Sequence, residues 1–166
     1  MIKTKDIVLI GVMSSILFTL QIARRFLPNI EPISILIVLY TIIFKRRTIY
    51  IIYVFVLLEG LFYGFGLWWI NYLYVWLVLY LIAHLFYKIR SPFYWALING
   101  GYGLSFGALC SIPYLFMGGL PAAFGYWISG LQFDVVHGIA NFVLALFLFK
   151  PLFIILDNIY TQYGNL

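Results

Sequence analysis

Apolar residues fill most of the chain in long runs, which are separated by short polar segments or by segments with glycine and proline. A helix needs about 20 apolar residues to cross ~30 Å of hydrocarbon, and most of the runs approach that length. The pattern predicts an all-α membrane protein with a single integral domain, residues 1–166. Six transmembrane helices are predicted, at about 6–23, 32–44, 49–65, 68–87, 92–117 and 121–149.

The composition excludes several classes of protein. Hydrophobic residues make up 65% of the chain and charged residues 9%, and the mean hydropathy is +1.06. A soluble protein with so few charges would expose large apolar patches to water. The same figures exclude a disordered chain, a disulfide scaffold and a nucleic-acid-binding protein. Cys110 is the single cysteine, so an internal disulfide is also excluded.

The positions of the basic residues predict how the spans are oriented. With six spans both termini lie on one side, and cytoplasmic segments carry an excess of lysine and arginine. If the N-terminus is cytoplasmic, only Arg24 and Arg25 fall in the outer loops. The inner segments then hold Lys3, Lys5, Lys45, Arg46, Arg47, Lys88, Arg90 and Lys150. We therefore expect both termini in the cytoplasm.

The second predicted span is unusually short. From Pro32 to the basic cluster at 45–47 it provides about 20 Å of helix. If the helix begins at Pro32, residues 24–31 lie partly at membrane depth, where irregular backbone must be packed in protein or must line a cavity. This predicts one wall of an outward-facing pocket. The alternative is a helix that begins at Pro28, with an ordinary loop before it.

Polar side chains inside the spans are the candidates for ligand binding, because ionisable groups at membrane depth are costly. Asp134, His137 and Asn141 are spaced i, i+3 and i+7, which places them on one helix face. A helix break is expected just before them, near Gly130. The candidate substrate-binding residues are Arg24, Glu31, Glu59, Trp68, Asn71, Asp134, His137 and Asn141.

Two other interpretations of the polar residues stay open at this stage. They could hold the helices together through hydrogen bonds, or Asp134 and His137 could contribute to a metal or proton site. Two ligands alone are weak evidence for a metal, and no metal site is predicted. Aromatic residues cluster at the outer ends of spans four and six, as an interfacial belt or as a stacking wall for a planar ligand.

Small residues mark the faces where helices approach each other closely. Gly11, Ser15 and Thr19 are spaced by four residues along the first span, and this face is predicted to dock a partner. The other small-residue pairs, Gly60 with Gly64 and Gly103 with Gly107, are predicted to pack inside the bundle. Motifs typical of enzymes and of nucleotide binding are missing from the sequence, so we expect neither catalysis nor ATP hydrolysis by this chain.

Two stretches of the sequence resemble the substrate-binding S-components of energy-coupling factor (ECF) vitamin transporters. One is the first loop, from Arg24-Arg25 to Glu31-Pro32. The other is the last span, from Gly130 through Asp134, His137 and Asn141 to Phe149-Lys150-Pro151-Leu152. The resemblance covers the whole length. It departs from the family on the first helix, where Gly11, Ser15 and Thr19 replace an Ala-x-x-x-Ala docking face.

The resemblance implies a function and a set of partners. The chain would be a multi-pass protein of a bacterial plasma membrane, and it would capture a vitamin-like small molecule. It would work with a transmembrane coupling subunit and two cytoplasmic ATPases, which bind ATP and magnesium; the chain itself would need no cofactor. The rival readings are a non-transporting scaffold, as in the cell-shape protein MreD, and a channel or proton-coupled carrier that uses Glu59 and Asp134. The sequence does not select the substrate.

Overall fold

The structure, a computed structural model, describes residues 4–23 and 30–164 as a set of helices. They are α1 (Thr4–Ala23), α2 (Ile33–Phe44), α3 (Arg47–Tyr63), α4 (Leu67–Leu85), α5 (Pro92–Leu104), α6 (Phe106–Cys110) and α7 (Ile112–Gly164). No strand occurs in either described range. The prediction of an all-α protein is confirmed for these residues.

Several of these helices are suited to a membrane. Within the described ranges, segments at Thr4–Ala23, Leu67–Leu85 and Ile112–Gln162 are long and apolar enough to cross one, and α2 is a shorter apolar helix. Large apolar side chains also cover much of the outside, for example Phe116, which is 87% exposed. Such a surface is stable in lipid and costly in water. These are the features of a membrane-embedded helical protein.

The predicted span 92–117 is not one continuous helix. It consists of α5, α6 and the start of α7, with turns at Ser105 and Ser111 between them. Ser105 Oγ donates a hydrogen bond to the carbonyl of Gly101 (2.8 Å), and Ser111 Oγ donates one to the carbonyl of Ala108 (2.7 Å). Serine hydroxyls that bond back to the preceding turn bend helices. Because the whole run is apolar, the sequence pattern does not predict either turn.

The last helix is broken earlier, and extends further, than the sequence predicts. Gly118 and Gly119 have non-helical backbone angles, and Gly119 has a φ of 70°, a left-handed conformation that favours glycine. The segment 120–164 then runs as one helix through Gly130, so the expected break there is wrong. It also continues past residue 149 to Gly164, with Pro151 inside it.

The short helix α2 is the centre of the bundle. Every residue from Ile33 to Phe44 is buried, and the helix packs against α1, α3, α4 and α7. Pro32 is its N-cap and residues 30–31 are not helical, so the predicted start at Pro32 is confirmed within one residue and the alternative start at Pro28 is wrong. The sequence predicts that the loop 24–31 forms one wall of a pocket. Most of this loop, including Arg24, lies outside the described residues.

Close helix contacts fix the arrangement of the other helices. α5 runs antiparallel to α7, and a Cβ added to Gly103 would lie only 2.8 Å from Gly138 Cα. In the same way, a Cβ on Gly60 would overlap the ring of Phe65. Gly60 and Gly103 therefore pack inside the described bundle, as predicted. The prediction is wrong for Gly64, which is exposed at the end of α3 and whose added Cβ would meet no atom within 4 Å. Ser14 Oγ ties α1 to α3 with a hydrogen bond to the Ile51 carbonyl (2.9 Å).

Contacts at the two ends of α2 define two ends of the molecule. At the C-terminal end, Arg47 hydrogen-bonds both Asp6 Oδ1 of α1 and the Tyr160 hydroxyl of α7, each at 2.8 Å. The first turn of α1 and the last turns of α7 therefore meet at this end, which we call the basic end. At the N-terminal end, Asn141 Nδ2 of α7 donates to Ser34 Oγ (3.3 Å). We call this the cavity end.

Candidate ligand cavity

A cavity of about 320 Å³ lies at the cavity end. This volume is at the lower end of the range of ~300–1,000 Å³ that is usual for small-molecule sites. Glu31, two residues before α2, and the helices α4, α6 and α7 supply its lining. The lining residues are Glu31, Tyr72, Trp76, Phe106, Gly107, Cys110, Tyr126, Ser129, Gly130, Phe133, Asp134 and His137.

Glu31, His137 and Ser34 form a buried hydrogen-bonded group at the cavity. Glu31 is 2% exposed, and its Oε1 lies 3.1 Å from His137 Nε2. Ser34 Oγ donates a second hydrogen bond to the same oxygen (2.7 Å) and accepts one from Asn141. Because Glu31 lies just before the N-terminus of α2, the helix dipole favours its negative charge. The group joins α2 to α7 and presents a carboxylate to the cavity.

Asp134 supplies a second carboxylate to the cavity. It is 4% exposed, and its Oδ1 accepts a hydrogen bond from the backbone N–H of Gly107 (2.9 Å). Its Oδ2 is buried and makes no hydrogen bond to any described residue. The Trp127 side chain approaches the same carboxylate, but its Nε1 is also buried without a hydrogen bond of acceptable geometry. A buried acceptor oxygen without a hydrogen-bond partner raises the free energy of the folded protein, so a ligand that donates to it would be stabilising.

Gly107 allows the carboxylate to approach α6 so closely. A Cβ added there would overlap Asp134 and would lie 2.7 Å from its Oδ1. Any larger residue at this position must therefore displace the carboxylate or the helix. The sequence predicts Gly107 only as a packing residue, so its role in holding Asp134 is an addition from the structure.

Aromatic rings form much of the remaining lining. Trp76 lies at their centre, with its ring centroid 5.4 Å from that of Tyr72 and 5.9 Å from that of Phe106. The Phe106 ring also packs edge-on against His137, with centroids 5.0 Å apart. The Tyr72 hydroxyl accepts a hydrogen bond from Gln21 Nε2 of α1 (3.0 Å). The cavity lining therefore combines acidic side chains with aromatic rings.

Among the described residues, the structure brings together three of the predicted site residues, places a fourth beside them and leaves three outside the lining. Glu31, Asp134 and His137 line the one cavity, and Asn141 lies beside it, bonded to Ser34. Glu59, Trp68 and Asn71 are not part of its lining.

Each of these three residues has another position. Glu59 is buried in α3. The Trp68 ring packs against Tyr72, 5.4 Å between centroids, so it lies behind the wall rather than in it. Asn71 Oδ1 lies 2.9 Å from the Tyr74 hydroxyl. This hydroxyl donates its hydrogen bond to the closer Leu109 carbonyl (2.7 Å) and so connects α4 to α6.

Basic residues lie at the opposite end of α2. A second cavity, of about 530 Å³, is lined there by Ile43, Phe44, Lys45, Arg46, Arg47, His84 and Tyr160. Lys45 and Arg46 are exposed. In contrast, neither lysine nor arginine lines the 320 Å³ cavity within the described part of the chain.

The predicted docking face lies on the outside of the bundle. Gly11, Ser15 and Thr19 are exposed, and they line a shallow apolar groove together with Val8, Val12, Ile16 and Leu20. A Cβ added to Gly11 would meet no atom within 4 Å, so no described residue fills the groove at that point.

No group of three histidine, cysteine, aspartate or glutamate residues within 4–23 and 30–164 is arranged to hold a metal ion. No protein-family model matches this chain, and neither a curated protein nor a solved structure matches it. Its function is therefore inferred from its own residues and their geometry.

Proposed function

We propose that this chain is the substrate-capture subunit of an ECF-type importer for a vitamin or a related micronutrient. The observation that carries the proposal is the cavity bounded by Glu31 and by α4, α6 and α7, whose lining combines two buried carboxylates and a histidine with aromatic rings. A helix bundle that only scaffolds other proteins has no need of such a cavity. Ionisable residues inside a membrane protein are functional candidates by default.

The same proposal includes six spans with both termini in the cytoplasm. Two features support it. Arg47 holds together the first turn of α1 and the last turns of α7, as an even number of crossings requires. The exposed residues Lys45 and Arg46 lie at that end, and basic residues concentrate on the cytoplasmic side. The cavity end would then face the outside of a bacterial plasma membrane.

Transport would require partner subunits, because this chain has no nucleotide-binding motif. In the proposal, a transmembrane coupling subunit docks in the groove at Gly11, Ser15 and Thr19, and two cytoplasmic ATPases hydrolyse ATP. The apolar and exposed character of the groove supports this surface as the contact. Small residues allow helices to pack closely in lipid.

The docking contact can be tested separately from ligand binding. Ser15→Leu fills the groove and is expected to block assembly with the coupling subunit, while ligand affinity stays within about twofold. Gly101→Leu is the matched control, because Gly101 is also exposed and a Cβ there meets nothing within 4 Å. Co-purification of the subunits measures assembly. A normal complex from the Ser15 variant would place the docking surface elsewhere.

Ligand capture itself is tested by titrating the purified protein with a panel of vitamins and vitamin precursors. Trp76 lines the cavity, so intrinsic fluorescence reports its occupation. We expect a saturable change with one compound at nanomolar concentration. A flat response to the whole panel, from protein shown to be folded by circular dichroism, would favour the membrane scaffold of the MreD type.

A further inference from the structure

The charges and shape of the 320 Å³ cavity restrict the chemistry of its ligand. We infer that the ligand is a small planar ring system that carries a positive charge on an N–H donor, such as an amidinium or a protonated aminoheterocycle. This inference rests on the proposed function, since it assumes that a solute occupies the cavity.

The first step is the charge of the lining. Glu31 and Asp134 are both carboxylates, and among the described lining residues His137 is the one whose side chain can carry a positive charge. With both carboxylates ionised, the three side chains together carry two negative charges when the histidine is neutral and one when it is protonated. The described lining is negative in either case. In surroundings of low dielectric, a negative site selects a positive ligand over a neutral or negative one.

The second step identifies the atom that the ligand contacts. Glu31 Oε1 is already occupied by Ser34 and His137. Asp134 also lines the cavity, and its Oδ1 is likewise occupied by the Gly107 N–H, whereas its buried Oδ2 has no hydrogen bond to a described residue. A charged N–H donor would satisfy Oδ2 with a charge-assisted hydrogen bond, which is roughly twice as strong as a neutral one.

The third step concerns the shape of the ligand. Tyr72, Trp76, Phe106 and Phe133 provide aromatic surface, which favours planar ligands and attracts cations to ring faces. The volume of 320 Å³ equals that of about ten water molecules. One ring, or two fused rings, fit this space.

Three probes of nearly the same size and shape test the inference: benzamidinium, benzamide and benzoate. They differ in charge, which is positive, neutral and negative. Each is titrated into the purified full-length chain, and binding is followed by tryptophan fluorescence. We expect benzamidinium to bind at least about tenfold more tightly than either of the others, a difference of about 1.4 kcal/mol.

Two variants locate the source of the preference. Asp134→Asn keeps the shape of the side chain and removes its charge, and it is expected to reduce the preference for benzamidinium by about tenfold. Asp157→Asn removes the same charge from an exposed position of α7 and is expected to leave the preference unchanged. An equal effect of both substitutions would overturn the assignment to Asp134.

The possible results separate this inference from the proposed function. If benzamide or benzoate binds as tightly as benzamidinium, or if the vitamin panel yields an anionic ligand, the positive charge is wrong and solute capture stands. If folded protein binds none of the probes and nothing in the panel, both are overturned. A cationic ligand from the panel whose affinity depends on Asp134 supports both.

Discussion

The two ends of α2 hold ionisable side chains in opposite ways. At the cavity end, Glu31 and Asp134 are 2% and 4% exposed and are held by hydrogen bonds from neighbouring helices. At the basic end, Lys45 and Arg46 are exposed. Both ends suit the dipole of α2, which favours negative charge at its N-terminus and positive charge at its C-terminus. The dipole therefore does not explain why only one set is buried.

The difference in burial distinguishes exposed charges, which orient the protein in the membrane, from buried charges, which we propose bind a ligand. An exposed lysine or arginine at a helix end costs little and marks the cytoplasmic side. A buried carboxylate costs several kcal/mol unless it is paired, so its position needs a reason. Pairing within the described bundle is complete for Asp134 Oδ1 and missing for Oδ2. A ligand supplies the missing partner in our account.

The largest expected effect comes from removing charge at each end in turn. The double variant Glu31→Gln, Asp134→Asn should weaken binding of the panel ligand by at least about 100-fold, because hydrogen bonds to charged groups contribute about 1.5–3 kcal/mol each. The double variant Lys45→Gln, Arg46→Gln should leave affinity within about twofold. Fluorescence titration measures both, and similar losses in the two proteins would end the distinction between the ends.

A smaller effect is expected from adding one methyl group beside Asp134. Gly107→Ala forces the carboxylate away from α6, which should lower the free energy of unfolding by about 1–3 kcal/mol and ligand affinity by about tenfold. Gly101→Ala is the control, because a Cβ there has open space. Thermal unfolding and titration are the measurements. Equal stability of the two variants would show that the contact at Gly107 relaxes freely.

A still smaller effect is expected from Ser34→Ala, which removes one of the two hydrogen bonds to Glu31 Oε1. The loss of about 1 kcal/mol corresponds to about a fivefold lower affinity for the ligand. Ser15→Ala serves for comparison, since the Ser15 hydroxyl is exposed and bonds only within its own helix, to the Gly11 carbonyl. If Ser34→Ala binds like the wild type, the orientation of Glu31 is not important for capture.

The smallest effect on ligand affinity is expected at the basic end. Arg47→Gln breaks the ion pair with Asp6 and the hydrogen bond to the Tyr160 hydroxyl; the arginine side chain is 40% exposed, but that of Asp6 is only 9% exposed. The free energy of unfolding should fall by about 1–3 kcal/mol, because a buried carboxylate loses a charged partner, while ligand affinity stays unchanged. A fall in affinity would instead connect the two ends through α2.

The sequence predicts the features that follow from local spacing. The short run after Pro32 predicts the start of α2, and the structure begins this helix at Ile33. The i, i+3 spacing of Asp134 and His137 predicts a common face, and both side chains line the cavity. Helical geometry alone fixes these relations, so no knowledge of the packing is needed.

Other features depend on tertiary packing and could not be predicted. In α4, large aromatic residues occur on every side of the helix, so the sequence gives no reason to choose Trp76 over Trp68. Only the contacts with Phe106 and Tyr72 place Trp76 in the wall. Ser34 lies inside an apolar run that gives it no distinct role, although its position three residues after Glu31 is a signal of local hydrogen bonding.

The most direct test of the central claim uses Cys110, which is the single cysteine of the chain and lines the cavity. A small thiol reagent, methyl methanethiosulfonate, is added to the purified protein with and without saturating panel ligand, and intact-mass spectrometry follows the modification. Our account predicts that the ligand slows modification at least about tenfold, with half-maximal protection at its dissociation constant. A ligand that binds tightly and leaves the rate of Cys110 modification unchanged would show that capture occurs somewhere else.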